Sequence, residues 1–121
     1  GISQYFQGKL DEAIADYQRA WERAADFVIA RDNYALALYQ VGQTEEALRS
    51  LRNLVRKYPT FADGRAALTA VLWVHGDRGE AESQWVSVIG LDRRYRDLAW
   101  VAKTRRWPPA MVSALEKFLR L

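Results

Sequence analysis

Few residues in this chain are equipped for chemistry. There is one histidine, His75, and no cysteine, so thiolate metal sites, disulfides and a cysteine nucleophile are excluded. A histidine that acts as base or ligand needs partners at the right spacing. His75 has none; it stands one residue before Gly76, where an ionisable ring suits the negative end of a helix. Ser83 and Ser87 lie near Glu80 and Glu82, on a segment whose outward face is expected to be polar. The carboxylate pairs Asp11–Glu12, Glu45–Glu46 and Glu80 with Glu82 each follow a turn and open a helix, where negative charge complements the helix dipole. No glycine-rich phosphate loop is present. The expectation is a chain with no catalytic residues, no metal and no cofactor.

Binding chemistry is better represented. Residues 1–92 carry 10 basic and 13 acidic side chains, whereas residues 93–121 carry 8 basic and 2 acidic. Within that basic end, Arg93, Arg94, Arg96, Lys103, Arg105 and Arg106 flank Trp100 and Trp107. Such interleaving has three readings. It binds phosphates and stacks bases, it docks on an acidic protein or anionic surface, or it is a solvated face whose arginine stems cover apolar surface.

The elements that hold these residues follow from a repeat. Gly8, Gly42 and Gly76 are spaced by 34 residues, and five residues after each stand Ala13, Ala47 and Ala81. The same period relates Tyr17, Leu51 and Trp85, then Ala20, Leu54 and Val88, and Tyr5, Tyr39, Trp73 and Trp107. Around Gly42 the apolar residues recur at helical spacing on both sides. A glycine between two helices suits a left-handed helix end, and the small alanine lets the pair approach closely. Helices are predicted over about 2–7, 10–24, 27–41, 44–57, 61–75, 79–90, 94–105 and 109–120. The last carries Met111, Val112, Leu115, Phe118 and Leu119 on one side and Ser113, Glu116, Lys117 and Arg120 on the other. It is expected to cap the array.

A helix–turn–helix unit of this length and pattern resembles the tetratricopeptide repeat. Tyr34, Ala35, Leu38, Gly42, Ala47, Leu51, Leu54 and Pro59 carry the likeness in one repeat; Leu68, Leu72, Gly76, Ala81, Trp85 and Val88 carry it in the next. Gly8, Ala13, Tyr17 and Ala20 carry it in the first. Ala25 and Arg93 stand where repeats one and three would have a closing proline. The resemblance implies an all-α, right-handed solenoid. Repeats are expected over about 1–27, 28–61 and 62–95, with a degenerate fourth unit and cap over 96–121, all in one domain. Gly1 falls in the middle of the first repeat's leading helix, so the natural chain is expected to continue upstream.

In such proteins the first helices line a concave groove that takes a peptide or helix of a partner. The resemblance places Ile29, Asp32, Asn33, Leu36, Tyr39 and Gln40 there from repeat two. From repeat three it places Asp63, Ala66, Ala67, Ala70, Trp73 and Val74. Asp97, Trp100, Val101, Thr104 and Trp107 follow from the last unit. Asp32, Asn33, Leu36, Tyr39, Gln40, Ala70 and Trp73 are the expected contacts. Tyr5, Tyr39, Trp73 and Trp107 form an aromatic row that serves either as ligand surface or as packing. One subclass grips the C-terminal carboxylates of chaperones; Asn33 fits it, but Ile2, Asp63 and Ala67 do not. An aromatic, mildly acidic groove favours an apolar or basic segment instead.

The expected function is a non-catalytic scaffold or adaptor for protein–protein interaction. Two alternatives are nucleic-acid or anionic-surface binding through the basic end, and an accessory role in a larger protein. Self-association through residues 10–24 is a further expectation, because the truncated first repeat leaves that face partly uncovered. The stretch from Asp92 to Trp100, followed by Arg105-Arg106-Trp107-Pro108-Pro109, is similar to the end of certain tetratricopeptide proteins of cyanobacteria and chloroplasts. That likeness implies an assembly factor for a photosystem. At 121 residues the chain has room for one domain. Its longest apolar stretch, Ala66 to Val74, is far below the roughly 18 residues of a membrane span.

Overall fold

A computed structural model describes residues 8–16 and 28–120. Among the described residues every element is helical. A helical segment covers 8–16, followed by α1 (Val28–Gln40), α2 (Thr44–Lys57), α3 (Ala62–His75) and α4 (Arg78–Leu91). A 3-10 turn over Arg93–Arg96 leads to α5 (Leu98–Lys103) and α6 (Pro109–Leu119). No described helix is long and apolar enough to cross a membrane.

The two hairpins close in the same way. Gly42 and Gly76 adopt φ of 90° and 107°, backbone that side-chain-bearing residues avoid. At the first turn, Gln43 N–H donates to the Leu38 carbonyl at 2.9 Å and Gly42 N–H to that of Tyr39 at 3.0 Å. At the second, Asp77 and Gly76 repeat this on Leu72 and Trp73. The crossed bonds satisfy carbonyls that the helix end would orphan. Gly8, the third glycine of the series, stands in helical backbone instead. Ala47 and Ala81 are fully buried where their hairpins close. Gly64 serves the contact between hairpins, since a Cβ there would meet Leu54 Cδ2 at 3.1 Å.

The predicted helix over 94–105 is broken in two. Asp92 accepts from the Arg94 N–H, and Asp97, in extended backbone, accepts from the N–H groups of Ala99 and Trp100. Each aspartate offers the backbone a side-chain partner that competes with a continuous helix. The chain then reverses through Arg106, which holds a left-handed φ of 57°. Pro109 opens α6 at the position where a missing N–H costs nothing.

Helix α6 divides as its sequence predicts: Met111, Ala114, Leu115 and Phe118 are buried, and Ser113, Lys117 and Arg120 are exposed. Its apolar side packs along α3 and reaches α1, the two first helices of the hairpins. It shares one core cluster with Leu36 of α1, Leu51 of α2 and Ala66, Ala67 and Ala70 of α3. Burying Met111, Leu115 and Phe118 contributes about 1.5–3 kcal/mol each before entropy is counted.

Candidate functional site: a groove and the segment that fills it

The first helices α1 and α3 bring Asp32 and Asp63 together, and both are buried, at 1% and 2% exposure. Two carboxyl groups so close cannot both be charged at low cost. Burial pushes Asp32 well above its ordinary value, and the Asp63 charge and their mutual hydrogen bond add to this. Burial also acts to raise Asp63, but hydrogen bonds from Asp32, Arg105 and Tyr95 outweigh it and hold Asp63 below its ordinary value. Of the pair, Asp63 is held the more acidic and Asp32 the less.

The remaining partners of Asp63 come from the end of the chain. Tyr95 O–H donates to Oδ1 at 2.7 Å, Arg105 Nε–H at 2.9 Å, and Trp107 Nε1–H at 3.0 Å. A buried carboxylate needs such donors, because losing water without them costs several kcal/mol. Left-handed backbone at Arg106 lies between the two tail residues that reach the same carboxylate. Tyr95 also meets Trp100 edge to face, with ring centroids 5.0 Å apart.

Beyond the carboxylate the same segment continues across the groove. Gln40 Oε1 accepts from the Ala110 N–H at 2.7 Å, satisfying one of the donors that α6 leaves open at its start. Phe118 meets the rings of Trp73 and Trp85 edge to face, at centroid distances of 5.2 and 5.3 Å. Arg78 stacks on Trp73, its guanidinium carbon 4.7 Å from the ring centroid. A small pocket of about 70 Å³ remains, lined by Asn33, Leu36, Arg106 and Pro108, with Leu10 and Ala13.

The residues expected to contact a partner are thus gathered on one face, under the tail. Asp32, Leu36 and Ala70 are buried there, whereas Asn33, Tyr39, Gln40 and Trp73 are partly buried. Two members of the aromatic row make contacts within the protein: Trp73 lies against Phe118, and Trp107 is buried on Asp63. Tyr5 and Tyr17 lie outside the described residues, as do Ile2, Ala20 and the larger part of the 10–24 face considered for self-association.

The basic end is divided. Arg93, Arg96, Lys103 and Arg106 are exposed. Arg94 pairs with Asp92 at 2.8 Å and stacks on Trp100 at 4.6 Å. Arg105 turns inward to the ion pair with Asp63. Tyr95 was not anticipated as a site residue. Its signal in the sequence is a lone aromatic inside a run of arginines.

His75 spends both ring nitrogens on carboxylates: Nε2 lies 2.7 Å from Glu45 Oε1, and Nδ1 lies 2.9 Å from Asp77 Oδ2. These two hydrogen bonds raise its pKa from the ordinary value, and the ring ties α2 to the end of α3. No group of carboxylates and histidines among the described residues is arranged to hold a metal ion.

Comparison with known proteins agrees with the hairpin architecture. No curated protein matches the chain. A family model described as Tetratricopeptide repeat matches residues 7–83, more than half of the sequence. That family generally mediates protein–protein interaction and is typically a non-catalytic scaffold. The chain, with its paired helices, its turn glycines 34 residues apart and this match, belongs to the tetratricopeptide repeat family.

Proposed function

We propose that this protein is a non-catalytic interaction scaffold whose ligand is a peptide or helix of another protein, received on the face formed by α1 and α3. The observation that carries this reading is α6 itself. An amphipathic helix lies on that face, its start capped by Gln40 and its end held by Trp73. A surface that accommodates one amphipathic helix has the shape and chemistry to accommodate another. Asp32, Asn33, Leu36, Tyr39, Gln40, Ala70 and Trp73 are the groove residues of this reading, with Asp63 added to them. On the likeness of its basic end to cyanobacterial and chloroplast proteins, the partner belongs to a photosystem assembly pathway.

Site-specific photo-crosslinking in lysate of the source organism tests the reading. A crosslinker replaces Asn33, which lines the remaining pocket, or Val86, which is exposed on α4. The expected result is a discrete adduct from position 33 that position 86 does not give. Adducts from position 86 alone would move the interaction off the groove.

A further inference from the structure

The tail that fills the groove also describes what the groove binds. Its contacts are an arginine and, two residues on, a tryptophan, both donating to one buried carboxylate, followed by prolines and an amphipathic helix. Two observations indicate that this occupant leaves the site incompletely satisfied. Asp32 Oδ1 is buried and meets no hydrogen-bond donor among the described residues, although Arg105 acts on both carboxyl groups. The bond that Arg105 makes to Asp63 comes from its Nε, and Asp32 Oδ1 remains without a donor. The tail also reaches this place through the left-handed residue Arg106, a conformation that arginine adopts at a cost.

We infer that the groove is a receptor for an arginine- and tryptophan-bearing segment of a partner protein, anchored on Asp32 and Asp63, and that residues 105–119 are its competitor in cis. This rests on the groove reading above and names the chemistry of its ligand. A partner arginine that bridges both acids, carried on unstrained backbone, gains the bond the tail forgoes. Charge favours it as well: withdrawing the tail leaves Asp63 without Arg105, and a basic segment restores the pair. Displacement would expose Met111, Leu115 and Phe118, so a partner that wins supplies its own apolar helix face.

The test uses the full chain labelled with ¹⁵N and an unlabelled synthetic peptide of residues 104–120 as the probe. Hydrogen–deuterium exchange is read separately over 105–119 and over α1 and α3. At saturating peptide the tail amides are expected to exchange at least ten-fold faster while α1 and α3 stay protected. A peptide carrying Arg105→Glu should leave the tail unchanged. Three results overturn the inference. One is no change at millimolar peptide, and another is acceleration of the tail only together with α1 and α3, which makes the tail a permanent part of the core. The third is a dimer by native mass spectrometry in which two chains have traded tails, which makes the occupant a second copy. A crosslink at position 33 with an immobile tail would keep the groove reading and discard this one.

Discussion

Helices α2 and α3 have the same length and belong to the same solenoid, yet they are buried in different ways. In α2 the buried residues are Ala47, Leu48, Leu51, Leu54 and Val55, one stripe at helical spacing, and charged and polar residues fill the rest. In α3 nine residues from Asp63 to Leu72 are buried, a carboxylate and a threonine among them. A second helix has one neighbourly side and one wet side. A first helix here has its hairpin partner on one side and α6 on the other. A helix buried all round, with a charge inside it, shows that its outer face is occupied.

The largest test of that contrast is the carboxylate. Asp63→Ala strands the Tyr95 and Trp107 donors and the Arg105 charge, so a loss of about 3–5 kcal/mol is expected in urea unfolding. A loss near that of a surface substitution would mean that the tail does not depend on Asp63. Next come Leu51→Ala and Leu115→Ala, both at fully buried positions. The first should cost about 2–5 kcal/mol globally. The second should lower the melting temperature less and act mainly as faster amide exchange over 105–119. Equal losses with uniform exchange would make frame and tail one cooperative unit. Arg106 gives a smaller effect: Arg106→Val should destabilise by about 1–2 kcal/mol, because a β-branched side chain resists left-handed backbone. Arg106→Gly should be close to neutral.

The acid pair sharpens the comparison through pH. The Asp32 pKa is raised in the folded state, so its contribution is complete below the ordinary value of 3.8 and is lost as pH rises through the folded-state value. The Asp63 pKa is lowered, so its contribution is present above that ordinary value and fails only as pH falls. Asp32→Asn keeps a donor towards Asp63 and removes the need for a held proton. Melting temperatures across pH 4–8 should therefore show the variant gaining on the wild type as pH rises. His75 titrates in both proteins and cancels in the difference. Parallel curves would mean that Asp32 is ionised in the fold.

Much of this architecture is written in local pattern. The period of 34, the turn glycines and the stripe of α2 depend on residues within one or two turns of each other, which periodicity reads directly. The break before α5 was less legible, because Asp92 and Asp97 decide it by capping rather than by hydropathy. The seat of the tail was not legible. Arg105 and Trp107 answer a charge 42 and 44 residues upstream, and helical spacing does not say which segment covers a face. Arg105 stands in sequence among cations that are exposed, yet its counter-charge is internal. The available hints were Asp63 in the first turn of a largely apolar helix, and Trp107-Pro108-Pro109 where another glycine turn would fall.

Nuclear magnetic resonance on the full chain in solution tests the central claim, that the tail lies on the first helices, most directly. NOEs are expected from the Phe118 ring to the indoles of Trp73 and Trp85, together with helical shifts over Pro109–Leu119. Absence of those cross-peaks with random-coil shifts over the same residues would contradict the claim and leave the groove open.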